Sequence, residues 1–174
     1  QQYLCIAEHE ISNYAKPGYA CRHNVGYWTR ENYLGLGLGA ASLIDNVRYS
    51  NTRELYEYIE ICRKLTFLPP EVFAPEEGMD APERGWFGSN LHTEAAVVNR
   101  KAQMEEFMFL GLRMTEGISR NEFEANFGMP IEAAYVQVLP DLQAQKLIEK
   151  REGRVYLTDR GMDVANYVMA QFLL

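Results

Sequence analysis

The sequence predicts a mixed α/β protein of the α+β kind, with strands and loops in its first part and a mainly helical, winged-helix-like second part. Three observations predict this. Short apolar runs bounded by turn residues fill the first third of the chain, which is the pattern of strands. From residue 93 onward, apolar side chains recur at helical spacing. A short hairpin pattern interrupts those helices near the C-terminus.

The first expected element is a buried strand over residues 3–7, because a short apolar run bounded by polar residues suits a parallel sheet. His9 and Glu10 follow it, either as polar site residues or as a satisfied pair at a barrel rim. After the turn signal Lys-Pro-Gly at 16–18, the chain is predicted to be a long loop as far as Tyr33. Since the sequence opens directly on a strand pattern, we expect it to be a fragment of a longer protein.

A hairpin and a helix are expected next. Asp45 and Asn46 tolerate positive φ, so two short strands should meet there. Asn51 or Thr52 can cap a helix whose apolar face is formed by Leu55, Tyr58, Ile59, Cys62 and Leu65.

The stretch that follows is rich in proline and glycine and has no period, which predicts a boundary. Its aromatic side chains make it too apolar for a free linker, so we expect it to pack on the protein. The predicted organisation is therefore 1–66 for the first part, 67–92 for the connecting segment and 93–174 for the second part.

The second part begins with a helix that carries Met104, Phe107, Met108 and Leu112 at core spacing. A capping box starts the next helix, because Ser119 can accept a hydrogen bond from the N–H of Glu122 while Glu122 reaches back. Ile118 and Phe123 form the matching hydrophobic staple, and Gly128 ends the helix.

The remaining signals complete a winged-helix-like pattern. Pro130 lies near the first turn of a third helix, and Pro140 predicts a kink or break within it. The hairpin turn is expected at residues 152–153, and Thr158 should cap a final helix, with Leu157 and Met162 as its staple.

Length, composition and charge limit the classes of function. With 174 residues, 47% of them apolar, the chain suits one ordinary soluble domain or two small ones. The net charge of −7 argues against a nucleic-acid partner, which would require clustered Lys and Arg. No apolar stretch reaches the roughly 18 residues of a membrane span, and no signal peptide is visible.

Cysteine and serine patterns offer no catalytic site. Cys5, Cys21 and Cys62 are widely spaced, so they indicate neither a disulfide framework nor a zinc site. Buried free thiols in a reducing cytoplasm are the simplest interpretation. No serine lies in a nucleophile motif such as G-x-S-x-G, and we predict no catalytic residue and no metal-ligand set in this chain.

The stretch "CRHNVGYW" is the first candidate binding site. His23 offers an imidazole, and Tyr27 and Trp28 offer broad aromatic faces, which are the parts that a haem pocket uses. A hydrogen-bonded loop histidine is the ordinary alternative. A second candidate is "GLGLGAAS", where Gly35, Gly37 and Gly39 could admit a nucleotide-like ligand, although a crowded strand end explains them equally well.

A winged helix raises the possibility of DNA binding. The third helix carries Glu132 and Asp141 and no basic residue before Lys146, whereas a DNA reader needs groups for bases and phosphates. Lys150, Arg151 and Arg154 give the wing a modest basic tip. A structural or lid role is favoured over DNA recognition.

Taken together, "EISNYAKPGYACRHNVGYW", "YLGLGLGAAS", "VRYSN" and "MEEFMFLGLRMTEGIS" resemble one family over nearly the whole chain. It is the oxygen-independent coproporphyrinogen III oxidase group of radical S-adenosylmethionine (SAM) proteins, of which this chain would be the C-terminal half. The resemblance implies that the first part forms the last strands and rim of a partial radical-SAM barrel. The second part would be the family's appended winged-helix-like domain.

The resemblance also implies site residues. "HNVGYW" is similar to the H-N-x-x-Y-W signature of the family's haem-chaperone branch, which implies haem binding by His23, Asn24, Tyr27 and Trp28. The glycine-rich stretch resembles the family's SAM pocket, with Gly37, Gly39 and Ala40 as the positions carried over. Where the family more often has His after the Gly-Ala pair, this chain has an alanine, and residues 69–90 look longer than usual.

The family's radical chemistry needs a [4Fe–4S] cluster on a C-x-x-x-C-x-x-C loop, and the three cysteines are too far apart for it. We therefore expect the cluster loop upstream of this chain, which by itself should be catalytically silent. The favoured hypothesis is a haem-binding chaperone with haem or a porphyrinogen as ligand and a haem-acceptor protein as partner. The alternatives are the oxidase itself and, less favoured, a winged-helix nucleic-acid-binding module.

Overall fold

A computed structural model describes residues 7–10, 13–16, 18–65 and 91–174. The chain divides into two compact units, the first formed by Gln1–Glu31 with Arg100–Leu174 and the second by Asn32–Asn99. The strands are β1 (Ala7–Glu10), β2 (Asn13–Ala15), β3 (Ala41–Ile44), β4 (Val47–Asn51), β5 (His92–Val97), β6 (Ile118–Ser119), β7 (Ile148–Arg151) and β8 (Arg154–Leu157). The helices are α1 (Arg22–Trp28), α2 (Leu55–Leu65), α3 (Arg100–Gly111), α4 (Arg120–Phe127), α5 (Ile131–Ala134), α6 (Val138–Ala144), α7 (Asp159–Asp163) and α8 (Ala165–Ala170). Helices and small antiparallel sheets together confirm the α+β class.

The C-terminal part of the first unit has the predicted winged-helix-like order. Helices α3 to α6 precede the β7–β8 hairpin, and a three-stranded antiparallel sheet has the order β6-β8-β7. One apolar cluster fills the space between them. Its fully buried members include Met108, Phe123, Ile131, Leu139, Val155, Val168 and Phe172.

Local capping and turn signals determine most of these boundaries, as predicted. The Ser119 hydroxyl accepts a hydrogen bond from the N–H of Glu122 at 3.2 Å, and Gly128 ends α4 in the left-handed region at φ 62°. Glu152 and Gly153 both have positive φ at the hairpin turn. Thr158 caps α7 by accepting from the N–H of Gly161.

The break predicted from Pro140 is present, but it lies upstream of the proline. Helix α5 ends at Ala134, and α6 begins at Val138, so that Pro140 occupies the first turn of the new helix. In the first turn a missing N–H costs nothing, whereas the proline ring would clash with a helical carbonyl four residues earlier. The chain therefore interrupts the helix before Pro140.

Two predictions about the N-terminal stretch are corrected. Residues 3–6 lie outside the described residues, and Ala7 belongs to β1, which pairs antiparallel with β2 rather than in a parallel sheet. Glu10 is aligned with Asn13, and a chain that reverses within two residues can pair only in the antiparallel sense. The stretch predicted as a long loop up to Tyr33 contains helix α1.

The second unit is built on the antiparallel sheet β3-β4-β5. The predicted hairpin turn is confirmed, since Asp45 and Asn46 have φ values of 48° and 62°. Helix α2 follows, with the Thr52 hydroxyl accepting from the N–H of Glu54. Leu55 is exposed rather than buried.

The predicted connecting segment 67–92 falls almost entirely outside the described residues, which resume at Leu91. Within the described parts of the chain, no helix is both long and apolar enough to cross a membrane.

Candidate functional site

Helix α1 gathers the four residues of the H-N-x-x-Y-W pattern onto one helical turn and a half. His23 and Tyr27 are four positions apart, so they lie on the same stripe of the helix. Their rings meet edge to face, with centroids 4.7 Å apart and an interplanar angle of 87°. His23 is exposed and Tyr27 is half-buried, so the imidazole is accessible from solvent and is oriented by its aromatic neighbour.

Asn24 and Trp28 form a second pair four positions apart, rotated about 100° around the helix from the first. Both are half-buried. The guanidinium carbon of Arg113 lies 4.5 Å from the centroid of the Trp28 ring, within cation–π range. The indole Nε1 of Trp28 is buried and has no hydrogen-bond partner within the described residues. Trp28 therefore uses one ring face inside the first unit.

An ion pair joins the chain just after α1 to helix α3. Arg30 Nε donates to Glu106 Oε2 at 2.9 Å, and the two side chains are only 11% and 10% exposed. A buried pair of this kind is costly to break, because either partner alone would remain as an uncompensated charge. Arg30 also has a φ of 58°, a left-handed conformation that a non-glycine residue rarely adopts. Through this pair and Trp28, the helix with His23 is attached firmly to α3.

A pocket opens beside Trp28, between the end of α1, α3 and β6. Its walls include Trp28, Arg30, Phe107, Ser119 and Arg154. The volume is about 110 Å³, well below the roughly 300–1,000 Å³ of a typical ligand pocket. A tetrapyrrole does not fit inside this pocket, so a flat ligand at α1 would have to lie on its outer face.

The glycine-rich stretch in the second unit alternates two kinds of residue. Leu34, Leu36 and Leu38 are exposed, whereas the glycines between them are half-buried. Gly37 has a φ of 107°, and a Cβ there would meet no atom within 4 Å, so that its open side could be approached by a ligand. At Gly35 a Cβ would collide with the carbonyl oxygen of Ala41. Glycine is therefore needed at position 35 because the backbone of Ala41 is too close for a side chain. At position 37 glycine is needed because of the backbone conformation.

The strand pair β4 and β5 holds this glycine-rich loop, which we define as residues 35–40. Asn51 is 4% exposed, and its side-chain Nδ2 donates to the carbonyls of Gly35 and Gly37, at 3.2 and 2.8 Å. The Nδ1 of His92 lies 3.0 Å from Asn51 Oδ1, and burial lowers the pKa of His92 below its ordinary value. The loop is thus fixed by side chains from outside it. Ala40 contributes its carbonyl, which accepts from the N–H of Asn51.

The basic residues of the wing are all engaged within the protein. Lys150 Nζ lies 3.1 Å from the carboxylate of Glu132. Arg151 lies over the Tyr156 ring, 5.0 Å from its centroid. Arg154 donates to two backbone carbonyls of the turn before β6. A wing whose cations are already paired has little to offer a phosphate backbone.

The described part of the chain has no cluster of metal-binding side chains. No three His, Cys, Asp or Glu side chains there converge on a common point. Cys21 is exposed and Cys62 half-buried, and neither of these two forms a disulfide bond. The buried state predicted for the thiols is therefore wrong for Cys21, because it precedes α1 at the surface.

Several residues that shape these sites gave no sequence signal. Arg30 and Glu106 are 76 positions apart, and Asn51 and His92 are 41 apart. Asn51 was predicted only as a possible helix cap. Its link to His92 depends on the pairing of β4 with β5, which follows a segment without periodicity.

Known proteins resemble this chain along most of its length. Residues 98–164 match the HemN C-terminal domain family. A heme chaperone HemW from Bacillus subtilis (strain 168) is 34% identical over 97% of this chain and 38% of its own length. A heme chaperone HemW from Lactococcus lactis subsp. lactis (strain IL1403) is 32% identical over 95% of this chain and 37% of its own length. The chain thus spans a little more than a third of these relatives.

A solved structure shares the fold. The radical SAM enzyme coproporphyrinogen III oxidase (HemN) from Escherichia coli superposes with a TM-score of 0.58 over 92% of this chain and 35% of its own. The sequence identity in that comparison is 14%. Similarity at this level establishes the architecture and leaves function to the site residues.

Proposed function

We propose that this chain, which matches the HemN C-terminal domain family over residues 98–164 and is similar to heme chaperones HemW, is the haem-contacting part of a haem chaperone. The observation that carries the proposal is the exposed His23 ring held edge to face by Tyr27 on α1, within the H-N-x-x-Y-W pattern. Imidazole is the commonest protein ligand of haem iron, and an accessible ring on a rigidly attached helix meets that need. Haem in this proposal is cargo rather than a resident cofactor.

Each residue of the pattern has a distinct expected role. The neutral His23 imidazole would ligate the iron, and Tyr27 would keep that ring oriented while offering its own ring to the porphyrin. Asn24 would supply an amide to a polar substituent of the porphyrin. By packing against Arg113, Trp28 would fix the position of the helix face that carries His23 and Tyr27. The part of the Trp28 ring that does not face Arg113 would extend the apolar surface offered to haem.

A SAM molecule would be held by the glycine-rich loop, with Gly37, Gly39 and Ala40 as its contacts. The open side of Gly37 and the positive φ of Gly37 and Gly39 support this assignment, since only a backbone without side chains allows such close approach. The cysteines of this chain do not have the spacing of a [4Fe–4S] loop, so no radical step is assigned to its residues. A reducing cytoplasmic setting would suit Cys21 and Cys62, which are not joined in disulfides.

Haemin titration tests the proposal. In the natural protein that carries this chain, haemin should produce a shifted Soret band, and His23→Ala should weaken haem affinity by at least about tenfold. Tyr27→Phe keeps the ring and should keep most of the affinity. Gln143→Ala, an exposed change on α6, is the matched control. Equal affinity of the wild type and His23→Ala would exclude His23 from the site.

An anaerobic assay separates the chaperone from the oxidase. With reductant, SAM and coproporphyrinogen III, the protein is expected to form no protoporphyrinogen. Formation of that product would favour the oxidase.

A further inference from the structure

The side chain of Asn51 makes three directed contacts, and their chemistry determines the position of a proton. Two carbonyl oxygens, those of Gly35 and Gly37, face the side-chain amide within 3.2 Å. Carbonyl oxygens only accept, so both must receive hydrogens from the NH₂ group. The carboxamide oxygen is therefore directed to His92, at 3.0 Å from Nδ1.

An amide oxygen also only accepts, and the ring nitrogen that faces it must carry a hydrogen. His92 is thus held as the Nδ1–H tautomer, and it donates to Asn51. The reverse orientation of the amide would place its oxygen against two carbonyl oxygens. Burial lowers the pKa of His92, so the ring is neutral near pH 7 and its tautomer is well defined.

We propose that Asn51 and His92 are positioning residues that set the shape of the glycine-rich loop, with the Nδ1–H of His92 fixing the orientation of the Asn51 amide. The proposal deepens the assigned SAM role of this loop and rests on it. A glycine-rich segment has the highest conformational entropy of any chain segment, and ordering it in advance removes that cost from ligand binding.

Other contacts already fix the two ends of the loop. At its start, the N–H of Gly35 donates to the Ser42 hydroxyl at 2.9 Å. The N–H of Gly39 donates to Thr52, and the N–H of Asn51 donates to Ala40. The Asn51 side chain donates to the carbonyls of Gly35 and Gly37, and the Gly37 carbonyl also accepts from the N–H of Ala40 at 3.3 Å. Removal of this side chain should therefore loosen the middle of the loop while the surrounding sheet stays folded.

The tautomer is the first readout. In ¹⁵N-labelled natural protein at about pH 8, long-range ¹H–¹⁵N spectra should show His92 with a protonated Nδ1 and an unprotonated Nε2. Free histidine prefers the opposite tautomer, so a merely buried ring would not give this signature. An Nε2–H tautomer for His92 would overturn the proposal.

Variants provide the second readout. Asn51→Ala should speed amide hydrogen exchange at Gly37 and Gly39 by about tenfold and weaken SAM binding in calorimetry by a similar factor. His92→Leu should act in the same direction, whereas His92→Asn, whose amide nitrogen replaces Nδ1, should restore most of both. Thr93→Ala, exposed on β5, is the matched control.

The outcomes separate this inference from the cofactor assignment. If the wild type binds no SAM and yet Asn51→Ala loosens the loop, the positioning pair stands and the cofactor assignment fails. If the wild type binds SAM and neither Asn51→Ala nor His92→Leu alters exchange or affinity, the positioning pair is wrong.

Discussion

The guanidinium of Arg113 lies over the ring of Trp28, 4.5 Å from its centroid, and this contact joins α1 to the chain that follows α3. Trp28 belongs to the same seven-residue helix as His23. A helix this short is not stable by itself in water, and its composition is unfavourable because it contains Asn24 and Gly26. Packing against the winged-helix-like part is what maintains α1, and the position of His23 depends on it.

Trp28→Leu should lower the free energy of unfolding of the first unit by about 1–2 kcal/mol, because it removes the cation–π contact and part of the buried ring. Trp28→Phe keeps an aromatic face toward Arg113 and should lose less. Urea unfolding followed by circular dichroism measures the difference. Haem affinity measured on the same variants should fall in the same order, and equal stability of the two variants would contradict the role given to Arg113.

Glu106→Gln should cost on the order of 3 kcal/mol in the free energy of unfolding, because it removes the carboxylate that pairs with the buried Arg30 charge. The reason is the burial of both partners, since a surface pair would contribute little. Replacing both residues, as in Arg30→Met with Glu106→Leu, removes the charges together and should recover much of the loss. A double variant no more stable than Glu106→Gln would show that the charge itself is not the cause.

Gly35→Ala and Gly37→Ala should both destabilise the second unit, for different reasons. At Gly35 the added Cβ collides with the backbone of Ala41, which must move, so the cost should be at least about 2 kcal/mol. At Gly37 there is room, and the cost comes from its φ of 107°, roughly 1–2 kcal/mol. Thermal unfolding measures both. Ala40→Ser, outside these constraints, serves as the control.

Glu132 should make stability depend on acid pH. Burial alone would raise the pKa of Glu132, but hydrogen bonds from its own backbone N–H, Lys150 and Arg120 lower it below the ordinary 4.5. A carboxyl whose pKa is lower in the folded state stabilises the fold above the unfolded value, and that contribution is lost as pH falls through the folded value. The free energy of unfolding should therefore decrease below about pH 4.5. Glu132→Gln should flatten the decrease when urea midpoints are compared across pH.

The features that sequence predicted correctly depend on near neighbours. Asp45, Asn46, Ser119, Gly128 and Thr158 act through residues within four positions, where turn and cap chemistry is legible. The α1 helix was missed for the opposite reason. Its residues favour a loop locally, and contacts from α3, more than seventy positions away, outweigh that preference.

The candidate sites divide in the same way. His23, Tyr27 and Gly37 could be recognised as candidates from the sequence alone. The imidazole, the phenol ring and the absence of a side chain are properties of each residue by itself. The residues that support these candidates could not be predicted from the sequence. Arg113 and His92 come near the sites only once the strands and helices have assembled. Supporting residues of this kind can be identified only from the three-dimensional structure.

The wing should not bind nucleic acid. Lys150, Arg151 and Arg154 are held by a carboxylate, an aromatic ring and backbone carbonyls, so each would have to give up an internal partner to reach a phosphate. The net charge of −7 adds a repulsive field around the chain. Fluorescence anisotropy with a labelled DNA duplex at about 0.15 M salt should show no binding at micromolar protein. Glu132→Gln releases Lys150 from its carboxylate partner and so tests whether internal pairing is what keeps the wing from binding DNA. It should give weak, salt-sensitive binding at most, and tight binding by the wild-type protein would show that the internal partners do not hold these cations.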